Sequence, residues 1–334
     1  MSQKVEENLH KPEQKKRLTH VWRNSHGRWC SLLKTTNKSV TDSLSTFDVE
    51  HSGTIVTLKP VAHYPDPFLG GQNHLVLCET LNHLNEPTKN RAKCKTIMDK
   101  IAHQQPWFGI KQEYLLMTKE FRSLDQTKRS ESNFCAFDAV GKSFAEKHYE
   151  MCQNASLKIT NLYAGKTEGS WIFHIGPCEG IAMGDELWIA RYLLHRTAEQ
   201  FGVVVTLDPK PAVTMGDWNV EGCHTKISTA AMRAENGLTV IKSAMTKLAA
   251  VDKFTWGVAN SAASVRIPRQ VAAEKKGYLE DRRPSSNCDP YTVTAAIGEI
   301  FLPSEFVDPA ATQQSDAIDD DLRDTTPASN DDDL

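Results

Sequence analysis

The sequence predicts an α+β fold, because strand and helix patterns follow one another without the regular alternation of a doubly wound protein. Two apolar runs with strand character, GTIVTLKPV at residues 53–61 and NHLVLCETL at residues 73–81, lie in the first quarter of the chain. The clearest helical pattern comes later, at residues 185–202. The chain has 334 residues, 40% hydrophobic and 24% charged, which is typical of a globular protein with about two domains.

Composition divides the chain into four parts. Residues 1–17 are a charged, flexible tail, residues 18–83 a strand-rich domain, and residues 84–302 a larger domain that mixes helices and strands. Residues 303–334 are rich in Asp, Ser, Thr and Pro and nearly lack aromatic residues. This last segment is therefore predicted to be an acidic, disordered tail.

The stretch PWFGIKQEYLLM, residues 106–117, predicts a buried strand that follows a turn. Residues two apart on a strand share a face, so Gly109, Lys111 and Glu113 point in one direction. A lysine beside a glutamate is either a surface ion pair or part of an altered catalytic site.

Apolar residues at helical spacing mark the helices of the larger domain. Residues 185–202 form the longest, and Gly202 suits its C-terminal cap. Residues 228–251 predict two helices with a turn at Asn236-Gly237, and residues 289–302 predict a final helix or a strand followed by a helix. The aromatic residues expected in the packed core are Trp107, Phe108, Trp171, Phe173, Trp188, Tyr192 and Phe201.

Charge and composition argue against several functional classes. A net charge of −3 gives no indication of nucleic-acid binding. No run approaches the ~18 apolar residues of a membrane span, and the polar N-terminus lacks the apolar core of a signal peptide. Eight cysteines without a CxxC pair are typical of reduced thiols in a cytoplasmic protein.

Five longer stretches, in this order, resemble the eukaryotic-type glutamine synthetases. They are PWFGIKQEY, SWIFHIGPCEGIAMGDELWIARYLLHR, FGVVVTLDPKP, DWNVEGCHTKISTAAMRAENGL and GVANSAASVRIPRQVAAEKKGYLEDRRPSSNCDPYTVT. The resemblance is dense over residues 86–302, patchy over residues 18–83 and absent from both tails. It implies an N-terminal β-grasp domain and a catalytic domain built on a curved antiparallel sheet, with subunits stacked in rings.

The resemblance also implies a reaction. Members of this family phosphorylate glutamate with ATP, and ammonia then displaces the phosphate to give glutamine. Divalent metals, Mg or Mn, neutralise phosphate charge in such chemistry, and these hard cations prefer oxygen ligands. The family supplies a cluster of glutamates and a histidine for them.

Several of the metal carboxylates implied by the resemblance are replaced here. The family reads Glu-Gln-Glu where this chain has Lys111, Gln112 and Glu113. Two further carboxylates fall on Gly165 and Ile172 when the stretches are aligned without gaps. Glu168 lies between them and would substitute only after a register shift. Lys111, Gly165 and Ile172 are therefore lost metal positions, together with the phosphate-contacting position that is Ser261 here.

Other matching positions are kept. The expected metal ligands are Glu113, His224 and Glu280. The expected substrate- and ATP-binding residues are Asn219, Gly222, Ser228, Arg266, Tyr278 and Arg282. The expected catalytic residues are Asp48, Arg266 and Arg282, since an arginine fork suits planar oxyanions. His224 could instead be a structural histidine.

The substrate pocket and the active-site coverings also depart from the family. Val220 and Glu221 add bulk and a negative charge where the family binds the glutamate head group, and Lys226 replaces an asparagine near the nucleotide. The flap segment before FTWGVAN is missing. Of the loop that reaches into a neighbouring subunit's site, only Asp48 remains, followed by Val49-Glu50-His51.

The sequence therefore predicts a folded glutamine synthetase homologue without ligase activity. We expect a structural or regulatory subunit, in a ring with itself or with a true glutamine synthetase. Two alternatives stay open: a working or weakly working enzyme, and a decayed or repurposed binding protein.

Overall fold

The computed structural model describes residues 15–51, 53–119, 141–167, 169–210, 222–249 and 254–302. The acidic tail, Glu168 and Asn219 lie outside these ranges. Strands and helices follow each other irregularly, which confirms the predicted α+β class.

The N-terminal part of the chain forms a five-stranded mixed sheet. Its strands are β1 (Lys16–Arg23), β2 (Trp29–Thr36), β3 (Phe47–His51), β4 (Thr54–Pro65) and β5 (His74–Leu81). They are arranged in the order β2-β1-β5-β4-β3. The central strands β1 and β5 run parallel, whereas the remaining neighbours are antiparallel. β3 is thus an edge strand.

The larger domain contains an eight-stranded sheet. Its strands are β6 (Trp107–Met117), β7 (Ile159–Ala164), β8 (Ser170–Glu179), β9 (Val204–Thr206), β10 (Cys223–Ser228), β11 (Trp256–Val258), β12 (Val265–Ile267) and β13 (Leu279–Asp281). Their order is β11-β12-β13-β10-β6-β8-β7, and β9 pairs with the end of β6. Neighbouring strands are antiparallel, as predicted, except that the short strands β11 and β12 run parallel.

Helices pack around this sheet. They are α1 (Arg91–Lys100), α2 (Lys142–Asn154), α3 (Ala182–Phe201), α4 (Ala230–Arg233), α5 (Leu238–Leu248), α6 (Arg269–Glu274) and α7 (Pro290–Glu299). Gly202 caps α3 with a φ of 67°, a left-handed conformation that glycine adopts at little cost. The predicted turn between α4 and α5 is present at Asn236, whose φ is 58°.

One face of the N-terminal sheet shares the hydrophobic core of the larger domain. Val21, Leu75 and Leu77 of the N-terminal sheet belong to the same buried cluster as α3. Trp29 packs edge-to-face on Trp188, with ring centroids 5.7 Å apart. The N-terminal sheet is therefore packed directly on the larger domain.

Two aromatic residues predicted in the core are exposed instead. Trp107 is 40% exposed and Phe201 44% exposed. Both stand at the end of an element: Trp107 begins β6 and lies beneath the Arg233 guanidinium, and Phe201 ends α3 with its ring edge on Phe144. At the end of an element only one side of the ring is covered by neighbours.

Two further observations concern the cysteines and the hydropathy of the helices. The seven cysteines that the structure describes are all free thiols. Within the described ranges, no helix combines the length and the apolar character that a membrane span requires.

Candidate functional site

Strand β6 positions one wall of the site. Lys111 lies opposite His224 of β10 on one side and opposite His174 of β8 on the other. Residues directly opposite each other in an antiparallel pair share a face, so the lysine stands between two histidines. Its ammonium lies 5.8 Å from the centre of the Tyr163 ring.

Glu113 is placed beside two of the positions predicted to have lost a carboxylate. It is 1% exposed and lies opposite Ile172 in the pairing of β6 with β8. A Cβ atom added to Gly165 would stand 2.7 Å from Oε1 of Glu113. The backbone N–H of Glu113 donates to the carbonyl of Gly222, a distance of 3.3 Å. The structure thus brings Lys111, Glu113, Gly165 and Ile172 to one region of the sheet.

Glu280 of β13 is the most heavily engaged carboxylate of the site. Its side chain is 2% exposed. Oε1 lies 3.1 Å from Nδ1 of His224 and 4.0 Å from Nη1 of Arg282. Oε2 accepts from Nε of Arg266 at 3.0 Å and from Nη2 at 2.5 Å.

These contacts keep Glu280 ionised. Burial by itself would raise the pKa of Glu280, but the hydrogen bond from His224 and the charge of Arg266 outweigh it and lower the pKa to about 2. An ionised carboxylate can only accept, so Nδ1 of His224 carries the proton and donates.

Lys226 adds a second lysine to the same face. It lies opposite Glu280 in β13 and opposite Gly109 in β6. Its ammonium is 5.4 Å from the centre of the Tyr278 ring. Burial lowers the pKa of Lys226, and the charge of Glu280 opposes this shift.

His174 was not identified from the sequence, although it points to the face shared by Lys111. Its Nε2 lies 3.2 Å from the Tyr163 hydroxyl. Burial and the charges of Lys226 and Lys111 lower the pKa of His174 to about 4, so the ring is neutral near pH 7. The two-residue spacing from Ile172 was the available signal, because residues two apart on β8 share a face.

A cavity of about 340 Å³ opens beside Lys226. Trp107, His174, Lys226, Ser228, Arg233 and Tyr278 are among the residues that line it. The Arg233 guanidinium stacks 3.8 Å from the centre of the Trp107 ring. Ser228 donates its hydroxyl hydrogen to the carbonyl of Gly277 at 2.5 Å. These walls suit a ligand that has a planar ring and that places a charged group beside Lys226.

Of the remaining predicted residues, Gly222 adjoins Glu113 of this cluster, and Asp48 and Ser261 lie in other parts of the fold. Asp48 is in edge strand β3 of the other sheet, where Oδ1 accepts from the Thr57 hydroxyl at 2.7 Å. Gly222 precedes β10 with a φ of 85° and lies against the carbonyl of Pro284, which would stand 2.7 Å from an added Cβ. Ser261 is exposed in the connection between β11 and β12. Asn219 falls outside the described residues.

The residues present do not fit a divalent-metal centre. Across the described ranges, no group of three or more His, Cys, Asp or Glu side chains is placed to hold a metal ion. Glu280 already accepts hydrogen bonds on both oxygens, and Nδ1 of His224 is committed to it. The three predicted ligands, Glu113, His224 and Glu280, therefore include one pair bound to each other. Their role toward metal stays a prediction.

No protein-family profile matches the chain. Comparison with individual proteins finds the probable glutamine synthetase of Caenorhabditis elegans, 50% identical in an alignment of length 284 that covers 73% of this chain and 77% of that protein. The glutamine synthetase of Mus musculus is 43% identical over 79% of this chain and 81% of its own length. That of Panulirus argus is 42% identical over 86% of this chain and 92% of its own.

Solved structures give the same fold. Ligand-free GmaS superposes with a TM-score of 0.65 over 85% of this chain and 76% of the other, at 16% sequence identity. A GmaS complex with ADP also gives 0.65, over 86% of this chain and 78% of the other, at 15% identity. At this identity the likeness concerns the fold alone.

Proposed function

The chain belongs to the glutamine synthetase family, and from this premise we propose that it is a member without ligase activity that serves as a structural or regulatory subunit. The family reaction would join ammonia to glutamate at the expense of ATP. The proposal concerns which parts of that apparatus this chain keeps.

The observation that carries the proposal is the set of contacts to Glu280. The carboxylate is buried, and Arg266 and His224 occupy both of its oxygens. Charge-assisted hydrogen bonds of this kind are stronger than neutral ones. A metal ion would have to break them and leave the Arg266 charge without its partner, which is unfavourable in a buried site.

The neighbouring positions point the same way. Gly165 and Ile172 lie around Glu113 and offer no oxygen ligand. Lys111 and Lys226 share a sheet face with His224, so a divalent cation there would meet like charges at short range. The loss of several such contacts at once removes most of the expected rate enhancement, since each is worth on the order of 10²–10³.

A nucleotide-binding role fits the same pocket better than catalysis does. Lys226 and Arg233 are cations that line the cavity, and Trp107 and Tyr278 offer flat aromatic walls. Arg266 and Arg282 contact Glu280, which lies opposite Lys226 in the sheet. We infer that an adenine nucleotide binds here with its phosphates toward Lys226, and that the lysine supplies charge that metals supply in active relatives. Ser228 and Tyr278 keep the roles that the resemblance assigned to them.

Assembly is the second part of the proposal. β3 is an edge strand that pairs only with β4 among the described strands, and it carries Asp48. An edge strand exposes unpaired backbone groups that can pair with another chain. We infer a ring with copies of itself or with an active glutamine synthetase, in the cytoplasm and without nucleic-acid or membrane partners.

The decisive experiment is a glutamine-forming assay. The purified chain is incubated with ATP, glutamate, ammonia and either Mg or Mn, beside an active glutamine synthetase purified in the same way. We expect no glutamine above the level of the enzyme-free control. Turnover within about a hundredfold of the active enzyme would show that the alternative of a working enzyme is correct.

A further inference from the structure

A second cavity lies between the N-terminal sheet and helices α1, α3 and α7. Its volume is about 400 Å³, and it shares no lining residue with the cavity beside Lys226. Arg23, Trp29, Glu79, Lys89, Arg91 and Trp188 are among the residues that line it. We propose that this cavity binds a free α-amino acid, with the ligand's ammonium on Glu79 and its carboxylate toward Lys89 and Arg23.

Glu79 is the polar group that requires a ligand. It lies in β5, is 6% exposed, and its Oε1 has no hydrogen-bond partner. Burial raises the pKa of Glu79, and the charges of Arg91 and Lys59 and a backbone hydrogen bond from Ala92 oppose this shift. A buried carboxylate oxygen without a donor is destabilising, so a ligand N–H group placed there would remove the penalty.

The nearby arginine cannot serve Glu79, because it is already committed. Arg91 donates from Nε and Nη2 to the two oxygens of Asp185, each at 2.8 Å. Asp185 also accepts from the Tyr291 hydroxyl at 2.5 Å. Nε and Nη2 of Arg91 are thus committed to Asp185, and Arg91 makes no hydrogen bond to Oε1 of Glu79.

Two positively charged side chains, Lys89 and Arg23, line other walls of the cavity. Lys89 is exposed and has no ion pair with any described residue. The Arg23 guanidinium lies 4.1 Å from the centre of the Trp188 ring, and its Nε and Nη2 donate to the carbonyl of Gly27. Among the described residues no acceptor meets its third nitrogen, Nη1, so this nitrogen can meet a ligand oxygen.

The second carboxylate that lines the cavity, Asp289, already accepts hydrogen bonds on both oxygens. Asp289 caps α7, with Oδ1 accepting from the backbone N–H of Tyr291 at 3.0 Å. Its Oδ2 accepts from Nδ2 of Asn90 at 2.9 Å. The groups left for a ligand are therefore one buried carboxylate and two cations.

This pattern selects a zwitterion. An amine alone would approach Arg23 and Lys89 with like charge, and an anion alone would leave Oε1 of Glu79 without a donor. An α-amino acid presents an ammonium and a carboxylate on one carbon, and Trp29 and Trp188 offer apolar surface to its side chain. The walls of the cavity come from the N-terminal sheet and from helices of the larger domain. A bound ligand would therefore also hold the N-terminal sheet on the larger domain.

The test is calorimetric titration of the full chain with each proteinogenic amino acid, together with thermal unfolding. We expect at least one amino acid to bind with one site per chain and to raise the unfolding temperature. Glu79→Gln keeps the shape and removes the charge, and should weaken binding about tenfold or more. Lys89→Met should weaken it about threefold, since the cation is exposed.

The matched control is Lys95→Met, a lysine on the exposed surface of α1 that pairs with Asp99 at 2.7 Å. This variant should bind like the unaltered chain. If Glu79→Gln fails to fold, Lys89→Met and Lys95→Met still decide the matter. Absence of saturable heat with every amino acid up to about 10 mM would overturn the proposal. So would binding that survives Glu79→Gln but is lost in Lys226→Asn, because the ligand would then occupy the other cavity.

Discussion

Lys111 lies directly opposite His224 in the pairing of β6 with β10. The resemblance to the glutamine synthetases places a metal carboxylate at the first position and a metal-binding histidine at the second. A lysine ammonium therefore stands on the face where a divalent cation would meet the histidine. The predictions below follow from this substitution and from its neighbours.

Metal binding should be weak. We expect at most one divalent cation per chain, with a dissociation constant above about 100 µM, because Glu280 is held by Arg266 and His224. Calorimetry with Mg and Mn on the purified chain measures this. Two tight sites on one chain would contradict it.

Restoring the lost carboxylates should recover metal binding but little ligase activity. The variant is Lys111→Glu, Gly165→Glu and Ile172→Glu together, which surrounds Glu113 with oxygen ligands. A side chain at Gly165 begins 2.7 Å from Oε1 of Glu113, so the loop must shift and the metal-free variant should be less stable. Manganese should raise its unfolding temperature, because it binds only the folded state.

Glutamine synthesis by this variant should stay low, since the flap segment and the arginine replaced by Ser261 are still missing. Near-normal synthesis in the glutamine-forming assay would show that those two losses matter little. The single variant Lys111→Glu is the control for an effect of charge alone.

Nucleotide binding should depend on Lys226 when no metal is present. Lys226→Asn should weaken the affinity for ADP in EDTA by about tenfold, because it removes the fixed cation beside Tyr278. Lys242→Asn, on the exposed face of α5, is the matched control and should leave the affinity unchanged. Equal ADP affinity in the two variants and the unaltered chain would refute this role for Lys226.

Stability should fall in acid through Glu280. Its pKa in the folded chain is lowered to about 2 from an ordinary value of 4.5. A lowered folded-state pKa contributes stability above the ordinary value, and that contribution is lost as the pH falls from about 4.5 toward 2. The full effect is on the order of 3 kcal/mol.

Glu280→Gln should therefore reduce the free energy of unfolding at pH 7 and flatten its decline below pH 4.5. Urea unfolding at several pH values measures both. Glu146→Gln is the control, since Glu146 is exposed and only 3.8 Å from Lys142 in a weak pair. A Glu280→Gln variant with an unchanged acid profile would mean that the carboxylate is not held as described.

The chain should assemble. Co-expression with a tagged active glutamine synthetase, followed by pull-down and sizing, should recover a mixed ring or a ring of this chain alone. Stability should be lower than that of the active homologue, because the segment around Asp48 is shortened. A well-folded monomer that never co-purifies would leave the repurposed or decayed alternative.

The sequence by itself predicted several of the elements, and the family resemblance indicated where the altered site lies. Alternation in residues 106–117 predicted β6 and the face shared by Lys111 and Glu113, since side chains of a strand alternate locally. Helical spacing and Gly202 predicted α3 and its end. The alignment of Gly165 and Ile172 placed both beside Glu113, where the structure has them. These are properties of short segments, so they can be read from adjacent residues.

Only the tertiary structure decided which polar side chains form hydrogen bonds and ion pairs with one another. Glu280 is bound by Arg266 and His224 because β13 lies between β12 and β10, and strand order is set by packing across the whole sheet. The inclusion of His174 follows from the register of β8 on β6, and the exposure of Trp107 from its place at a strand end. The cavity around Glu79 exists only where two domains meet. Long-range register and domain packing join residues far apart in the chain, and no local pattern specifies them.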